Sequence, residues 1–257
     1  MRINALRLFL AGALPLVTAC GQQKQAAPSG PPPNAKIVDA TKAGNVSGRV
    51  TIEGAVPENP PIKLAGDPYC LAKNPNGDTF EHFVAKNGGL ENVFVYVSDK
   101  LDYYFEVPTA VIELDQQDCR YKPHVVGVRA GQRLAIRNSD DTLHNVHALP
   151  NANGEWNRGQ AFKGMVDEKI FTARDVMVPF KCDVHSWMHA FVGVMDHPYY
   201  AVTRDGGKFE LKGLPAGTYT IEAWHEKLGT AKQTVTLGEK ESKEITFTFK
   251  SSAAGTN

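Results

Sequence analysis

The sequence predicts an all-β protein. Short apolar or alternating runs recur along the chain, Gly and Pro punctuate the gaps between them, and no long stretch repeats its apolar residues at helical spacing. In order, strands are expected near residues 46–52, 92–97, 110–114, 125–128, 133–137, 169–172, 176–180, 191–195, 208–211, 219–224 and 244–249. Val46, Val50 and Ile52 set the pattern of the first run, and Gly54 ends it. Asp205-Gly206-Gly207 and Leu214-Pro215-Ala216-Gly217 mark turns between later runs. Many short strands with such turns indicate sandwiches or barrels rather than alternating strand and helix.

The first residues are of another kind. Arg2 and Arg7 bracket a short charged region, residues 8–17 are apolar, and Val17-Thr18-Ala19-Cys20 closes the run with small residues before a cysteine. The apolar run is too short for a stable membrane span, and the pattern reads as a lipoprotein signal at 1–19, cleaved before Cys20 with lipid on its sulfur. An ordinary secretory signal is the alternative; it changes the anchor but not the exported address. Gly21 follows where aspartate argues for retention on the inner membrane, which favours a lipid-anchored periplasmic protein on the outer membrane of a Gram-negative host. Residues 20–44, rich in Gln, Pro, Ala and Gly, lack the apolar groups for a core and are expected to be a flexible tether, and 251–257 a disordered tail.

About 210 residues remain, enough for one large or two modest domains. The whole chain carries 28 basic and 28 acidic side chains, a formal net charge of zero that gives no case for nucleic acid. Compartment decides how cysteines are used, and there are four: Cys20, Cys70, Cys119 and Cys182. If Cys20 is acylated, three are left in an oxidising compartment, so one is odd.

Cys182 lies in FKCDVHSWMHAF, where a thiol, two imidazoles and a thioether crowd one short segment. Cys182, His185 and Met188 follow a C-x2-H-x2-M spacing. A thiolate, an imidazole and a thioether are donors of a blue-copper site, which also needs a second imidazole from elsewhere. His144, in LHNVHAL just after the expected strand RLAIRN, is the best candidate.

This combination resembles the cupredoxins, the amicyanin group most closely, over about residues 108–197. YKPHVVGVRAGQRLAIRNSDDTLHNVHA is similar to that family's strand, Gly turn, strand and His-Asn loop, and FKCDVHSWM to its ligand loop. The resemblance implies a Greek-key sandwich in which His144, Cys182 and His185 are equatorial ligands of one type 1 copper and Met188 the weak axial one. It implies that Asn145 ties the two ligand loops together beneath the thiolate. It further implies that His185 brings its ring edge near the surface as an electron exit. Val184, Trp187, Ala190 and Phe191 are then a docking rim, with Trp187 and Phe191 foremost. NANGEWNRGQAFKGMVDEKI, with Trp156 and Phe162, departs from the family pattern and leaves the contour near His144 open.

A closed zinc site of Cys182, His185, His189 and His144 is the competing reading; it leaves Met188 unexplained. His147 and His189 read as outward or supporting histidines. His82, His124, His197 and His225 take ordinary surface or hydrogen-bonded roles, with no second cluster evident in sequence. With Cys20 on lipid and Cys182 on copper, subtraction leaves Cys70 and Cys119 as a disulfide. The competing use is a second metal shared with His124.

AVTRDGGKFELKGLPAGTYTIEAWHEKLGTAKQTVTL resembles the carboxypeptidase regulatory-like, transthyretin-type β-sandwich module. VSGRVTIEG and GLENVFVYV look like its opening strands, so the expected fold is a cupredoxin sandwich inserted in a host whose parts are residues 45–107 and 198–250. Three consecutive segments are the alternative, which leaves the first without a core of its own. No nucleophile triad or metal-peptidase motif is evident. The expected function is one-electron transfer, not enzymatic catalysis, with a c-type cytochrome or periplasmic dehydrogenase as redox partner and the membrane reached through lipid. Copper delivery or storage, and a structural or ligand-binding sandwich lipoprotein, are the alternatives.

Overall fold

The computed structural model describes residues 30–251. The expected signal segment, Cys20, the first part of the expected tether and the tail beyond residue 251 lie outside these.

The elements are β1 (Gly44–Glu53), a 3-10 turn (Leu64–Gly66), α1 (Pro68–Lys73), β2 (Ala85–Lys86), β3 (Gly89–Leu90), β4 (Phe94–Val97), β5 (Ile112–Gln117), β6 (Arg120–Lys122), β7 (Val125–Arg129), β8 (Arg133–Asn138) and β9 (His144–Ala148). There follow β10 (Trp156–Gln160), β11 (Val166–Ile170), β12 (Asp175–Lys181), β13 (His189–Met195), β14 (Tyr200–Val202), β15 (Lys208–Leu214), β16 (Gly217–His225), β17 (Gly229–Leu237) and β18 (Ser242–Lys250). Among the described residues the protein is all-β, apart from the 3-10 turn and one six-residue α-helix.

Four sheets divide by sequence. β10-β9-β12-β13-β7 and β11-β8-β5-β6, all from residues 112–195, form two sheets. In these, β13 runs parallel to β7 and β5 parallel to β8. The flanking strands form two more: β14-β4-β16-β17, and β15-β1-β3-β2 with β18 parallel to β1. Strand alternation sends one face of each sheet inward. In β16, Tyr219, Ile221, Ala223 and His225 are buried while Thr218, Thr220, Glu222 and Trp224 are less so, a period of two.

Each pair of sheets closes on its own core. Leu114, Tyr121, Ile136, Val146, Phe180 and Val192 belong to one; Val46, Val95, Leu211, Ile221 and Phe247 belong to the other. Ile62, Leu64 and Cys70 precede β2 in sequence yet pack in the core of the sheets built from 112–195, with Tyr69 and Phe80 against it. A smaller group, including Phe94, Val125, Met177 and Met195, joins the two systems. Gly127 and Gly193 face each other across β7 and β13 beneath it. A Cβ on Gly193 would come 2.3 Å from the Phe94 ring, so only glycine admits this side chain, whose full burial is worth roughly 2–3 kcal/mol.

Two expectations shift. Residues 36–42, expected as tether, lie against the body: Tyr104 N donates to Lys36 O (2.8 Å), Lys240 N donates to Lys42 O (3.0 Å), and the Lys36 ammonium sits 4.2 Å from the Tyr103 ring centroid. The strand expected at 169–172 is Val166–Ile170; it is an edge strand with no fully buried side chain, and the apolar signal had tracked buried Phe171 just beyond it.

Candidate metal centre

The residues that could hold a metal come from two neighbouring strand ends. His144 opens β9; Cys182 follows β12; His185 and Met188 complete the loop before β13. Backbone bonds close that loop, Cys182 N donating to Met188 O (3.1 Å) and Met188 N to His185 O (2.9 Å). All four side chains are buried, at 0% exposure for His144, 2% for Cys182 and His185, and 1% for Met188.

His144 Nδ1 and His185 Nδ1 lie 3.0 Å apart, Cys182 Sγ is 3.9 Å from His185 Nδ1, and the three donor atoms all lie within 4.8 Å of one another. An ion with metal–nitrogen bonds of ~2.0 Å and a metal–sulfur bond of ~2.3 Å needs donor separations of roughly 3.3–3.8 Å, which the observed pair brackets.

The far side of each ring fixes its tautomer. His144 Nε2 is 3.0 Å from Asp140 Oδ2, and His185 Nε2 is 2.9 Å from Asp67 Oδ2. A ring that donates Nε2–H to a carboxylate presents a lone pair at Nδ1, the arrangement of an oriented metal ligand. Burial works against both carboxylate charges, but hydrogen bonds from the Cys70 amide and His185 to Asp67, and from His144 and the Cys119 and Asp118 amides to Asp140, hold both carboxyls below their usual range. Burial likewise opposes the Cys182 thiolate. Bonding to His144 and His185 and from the Asn145 and His185 amides outweighs it, drawing the thiol down to about 6. Thiolate is the form that binds metal.

Asn145 joins the two ligand segments. Its amide donates toward Cys182 Sγ (3.5 Å), its Oδ1 accepts from Asp183 N (2.5 Å), and its Nδ2 donates to Asp183 Oδ2 (3.0 Å). Tyr121 adds a second tie, its hydroxyl donating to Asn145 O (2.7 Å) and Lys181 O (3.2 Å).

No family model and no curated protein matches the chain. Among solved structures, it is similar to a mutant of amicyanin in the Cu(I) state (23% identity over 35% of this chain and 86% of that one, TM-score 0.30). It is also similar to another amicyanin mutant in the reduced state (23% identity, 39% and 97%, TM-score 0.30) and to a purple cupredoxin from Nitrosopumilus maritimus (19% identity, 33% and 98%, TM-score 0.28). These are likenesses to about a third of the chain, and the site stands on its own geometry.

That geometry corrects several expectations. His185 has no exposed ring edge: the Asp67 side chain and Cys70 cover it, with Cys70 Sγ 3.8 Å from Nε2 and the Trp187 ring at 5.0 Å between centroids. Ala190 is fully buried, so it forms no rim. Phe191 points to the opposite face of β13 from Ala190, against Trp224 and away from the core that holds Met188. Val184 is exposed and Trp187 half-buried, its Nε1 donating to Cys119 O (3.1 Å). His147 is outward, between Asp183 and Glu155 at 2.8 and 2.7 Å.

The Cys70–Cys119 disulfide is formed, across 49 residues and with Cα atoms 5.6 Å apart. Cys70 lies not in a loop but in α1, which Asp67 caps by accepting from Cys70 N (2.9 Å), with Pro68 at the first helical position. Cys119 occupies a two-residue hairpin turn between β5 and β6, where Asp118 and Cys119 both have φ near +57°.

Sequence reading missed Asp67 and Asp140, although Asp67-Pro68 is a recognisable helix start. It also missed a second cluster. His82, His124 and His189, far apart in sequence, converge on Glu226 at 3.2, 2.8 and 3.6 Å. His189 is thereby turned away from Cys182, which removes it from the four-residue zinc set.

Proposed function

We propose that the protein is a one-electron carrier in which His144, Cys182, His185 and Met188 hold a single type 1 copper. The observation that carries this reading is the pair of imidazole Nδ1 atoms and the buried thiol directed at one point, while each Nε2 is anchored on a carboxylate. Copper in such a set supplies one-electron exchange between its cuprous and cupric states, and mixed sulfur and nitrogen donors suit both.

The chain's own residues do the rest. Asp67 and Asp140 hold the rings, Asn145 and Tyr121 fix the distance between the two ligand segments, and amides of Asn145 and His185 donate toward the sulfur. Such a frame restrains donor movement when charge changes, which keeps reorganisation small. Burial of all four side chains excludes water.

The same enclosure favours a carrier over a delivery or storage protein, because α1 and the disulfide cover His185 and close a route for exchange. We further propose that residues 108–197 are a cupredoxin domain inserted in a regulatory-like sandwich, supported by the division of strand pairing. On this reading Cys20 carries lipid, the protein faces the periplasm, and a redox partner docks near Val184 and Trp187. Repeated chemical oxidation and reduction with a copper chelator present is the test. A carrier keeps its copper and cycles by one electron per metal; release of copper on each reduction supports delivery instead.

A further inference from the structure

The cluster around Glu226 lies outside the site already described, and four separate segments build it. His82 comes from the loop before β2, His124 precedes β7, His189 opens β13 and Glu226 begins the turn after β16. The Glu226 side chain is only 6% exposed, and those of His124, His82 and His189 are 5%, 14% and 22% exposed.

An ion-pair network accounts for part of it. His124 Nε2 lies 2.8 Å from Glu226 Oε1 and His82 Nδ1 3.2 Å from Oε2. It does not account for His189. That ring bonds the Trp187 carbonyl through Nδ1 (2.9 Å), which leaves Nε2 as the nitrogen available to a ligand. Nε2 is buried without a hydrogen-bond partner, and it faces Glu226 Oε2 at 3.6 Å. An imidazole nitrogen without a hydrogen-bond partner, facing a carboxylate oxygen at that separation in a buried site, is placed to share a metal ion with it. The Nδ1–H to carbonyl bond is also the usual restraint on a metal-binding imidazole.

We propose that His82, His189 and Glu226 form a second metal site, for a divalent first-row transition ion of the zinc class. One ligand atom from each of the three lies within 4.8 Å of the other two. Two imidazoles and a carboxylate are borderline donors, suited to such an ion and offering no thiolate. His124 steadies the other carboxylate oxygen. His225 shapes the turn, its buried Nδ1 accepting from the Lys227 and Leu228 amides, each at 3.2 Å. His189 belongs to the sheets of residues 112–195, whereas His82 and Glu226 lie in the flanking segments. A bound ion would therefore clamp the two sheet systems together.

The test titrates the metal-free full chain with Co(II) and counts bound metal after dialysis. The expected result is a cobalt equivalent with ligand-field bands but no thiolate charge transfer. It should survive in Cys182→Ala and be lost in both His82→Ala and Glu226→Gln. Zn(II) should raise the melting temperature of Cys182→Ala, in which the first site lacks its thiolate, by more than that of Cys182→Ala/His82→Ala. His82 sits on a partly exposed loop, so that variant carries the test if Glu226→Gln does not fold. Absence of a thiolate-free equivalent in folded wild type overturns the proposal, as does its persistence in His82→Ala. The outcome is independent of the copper reading, whose signature is the thiolate band.

Discussion

Cys70 is bonded to Cys119, and that bond joins the two supports of the candidate metal centre. Cys70 N donates to Asp67, which holds His185; Cys119 N donates to Asp140 (2.7 Å), which holds His144. One covalent link therefore fixes the segments that orient both imidazoles.

Removing it should cost stability and metal retention together. Cys70→Ala/Cys119→Ala frees a loop of 49 residues, and chain entropy puts the loss at about 4 kcal/mol. Denaturant unfolding checks that loss. Copper should also dissociate faster, because Asp67 and Asp140 are no longer tied. A variant equal to wild type in both would show the bond to be incidental.

Asp140→Asn isolates one support. The buried carboxylate accepts from His144 and from the Asp118 and Cys119 amides. An amide at this position no longer fixes the Nε2–H tautomer, and copper affinity should fall roughly 10–100-fold, the usual range for such partners. Competition with a chelator of known affinity measures it. The charge-transfer colour of loaded protein should survive, since the thiolate is untouched.

Met188→Leu addresses the thioether. The side chain is 1% exposed, and the near-isosteric exchange should cost under about 1.5 kcal/mol. A weak axial sulfur tunes rather than creates the site. The variant should keep its colour and gain a higher reduction potential by weakening support for the cupric state. Complete loss of copper would show that Met188 is an essential ligand.

His197 provides a pH dependence remote from either site. Its burial pushes the imidazole from 6.5 down to about 4, with Nε2 donating to Val97 O (3.0 Å) and Nδ1 accepting from Tyr199 N (3.2 Å). The folded form thus keeps the ring neutral where the unfolded chain protonates it. Stability is fully present above pH 6.5 and falls as pH drops toward 4, by a few kcal/mol over the interval. His197→Gln should flatten that slope in unfolding measured across this range; an unchanged slope would assign it to other groups.

Much of this was legible in the sequence, and its gaps have physical causes. The all-β class followed from alternating runs such as Val46, Val50 and Ile52, because strand burial has a period of two. Cys182, His185 and Met188 were visible because one loop carries them. Asp140 is four residues before His144, but beside Asp141 the sequence does not tell which of the two turns inward. Asp67 was not visible, since a carboxylate brought to a site by tertiary folding leaves no local pattern. The same applies to His82, His124, His189 and Glu226, which four segments contribute. β5 extends through Asp115-Gln116-Gln117 because buried Gln116 bonds the Arg137 carbonyl and the Gln160 side chain, a polar interior that apolar periodicity cannot register. Phe191 was misassigned to the rim because strand alternation at β13, not proximity to Cys182 in sequence, decides which way it faces.

The central claim is that Cys182 binds copper as a thiolate beside His144 and His185. The visible absorption spectrum of copper-loaded protein, recorded with a metal count, tests it most directly. The account predicts an intense thiolate-to-copper band that saturates at one copper per Cys182 and vanishes in Cys182→Ser while the fold is retained. A loaded protein that shows no such band, or one whose band survives in Cys182→Ser, would contradict it.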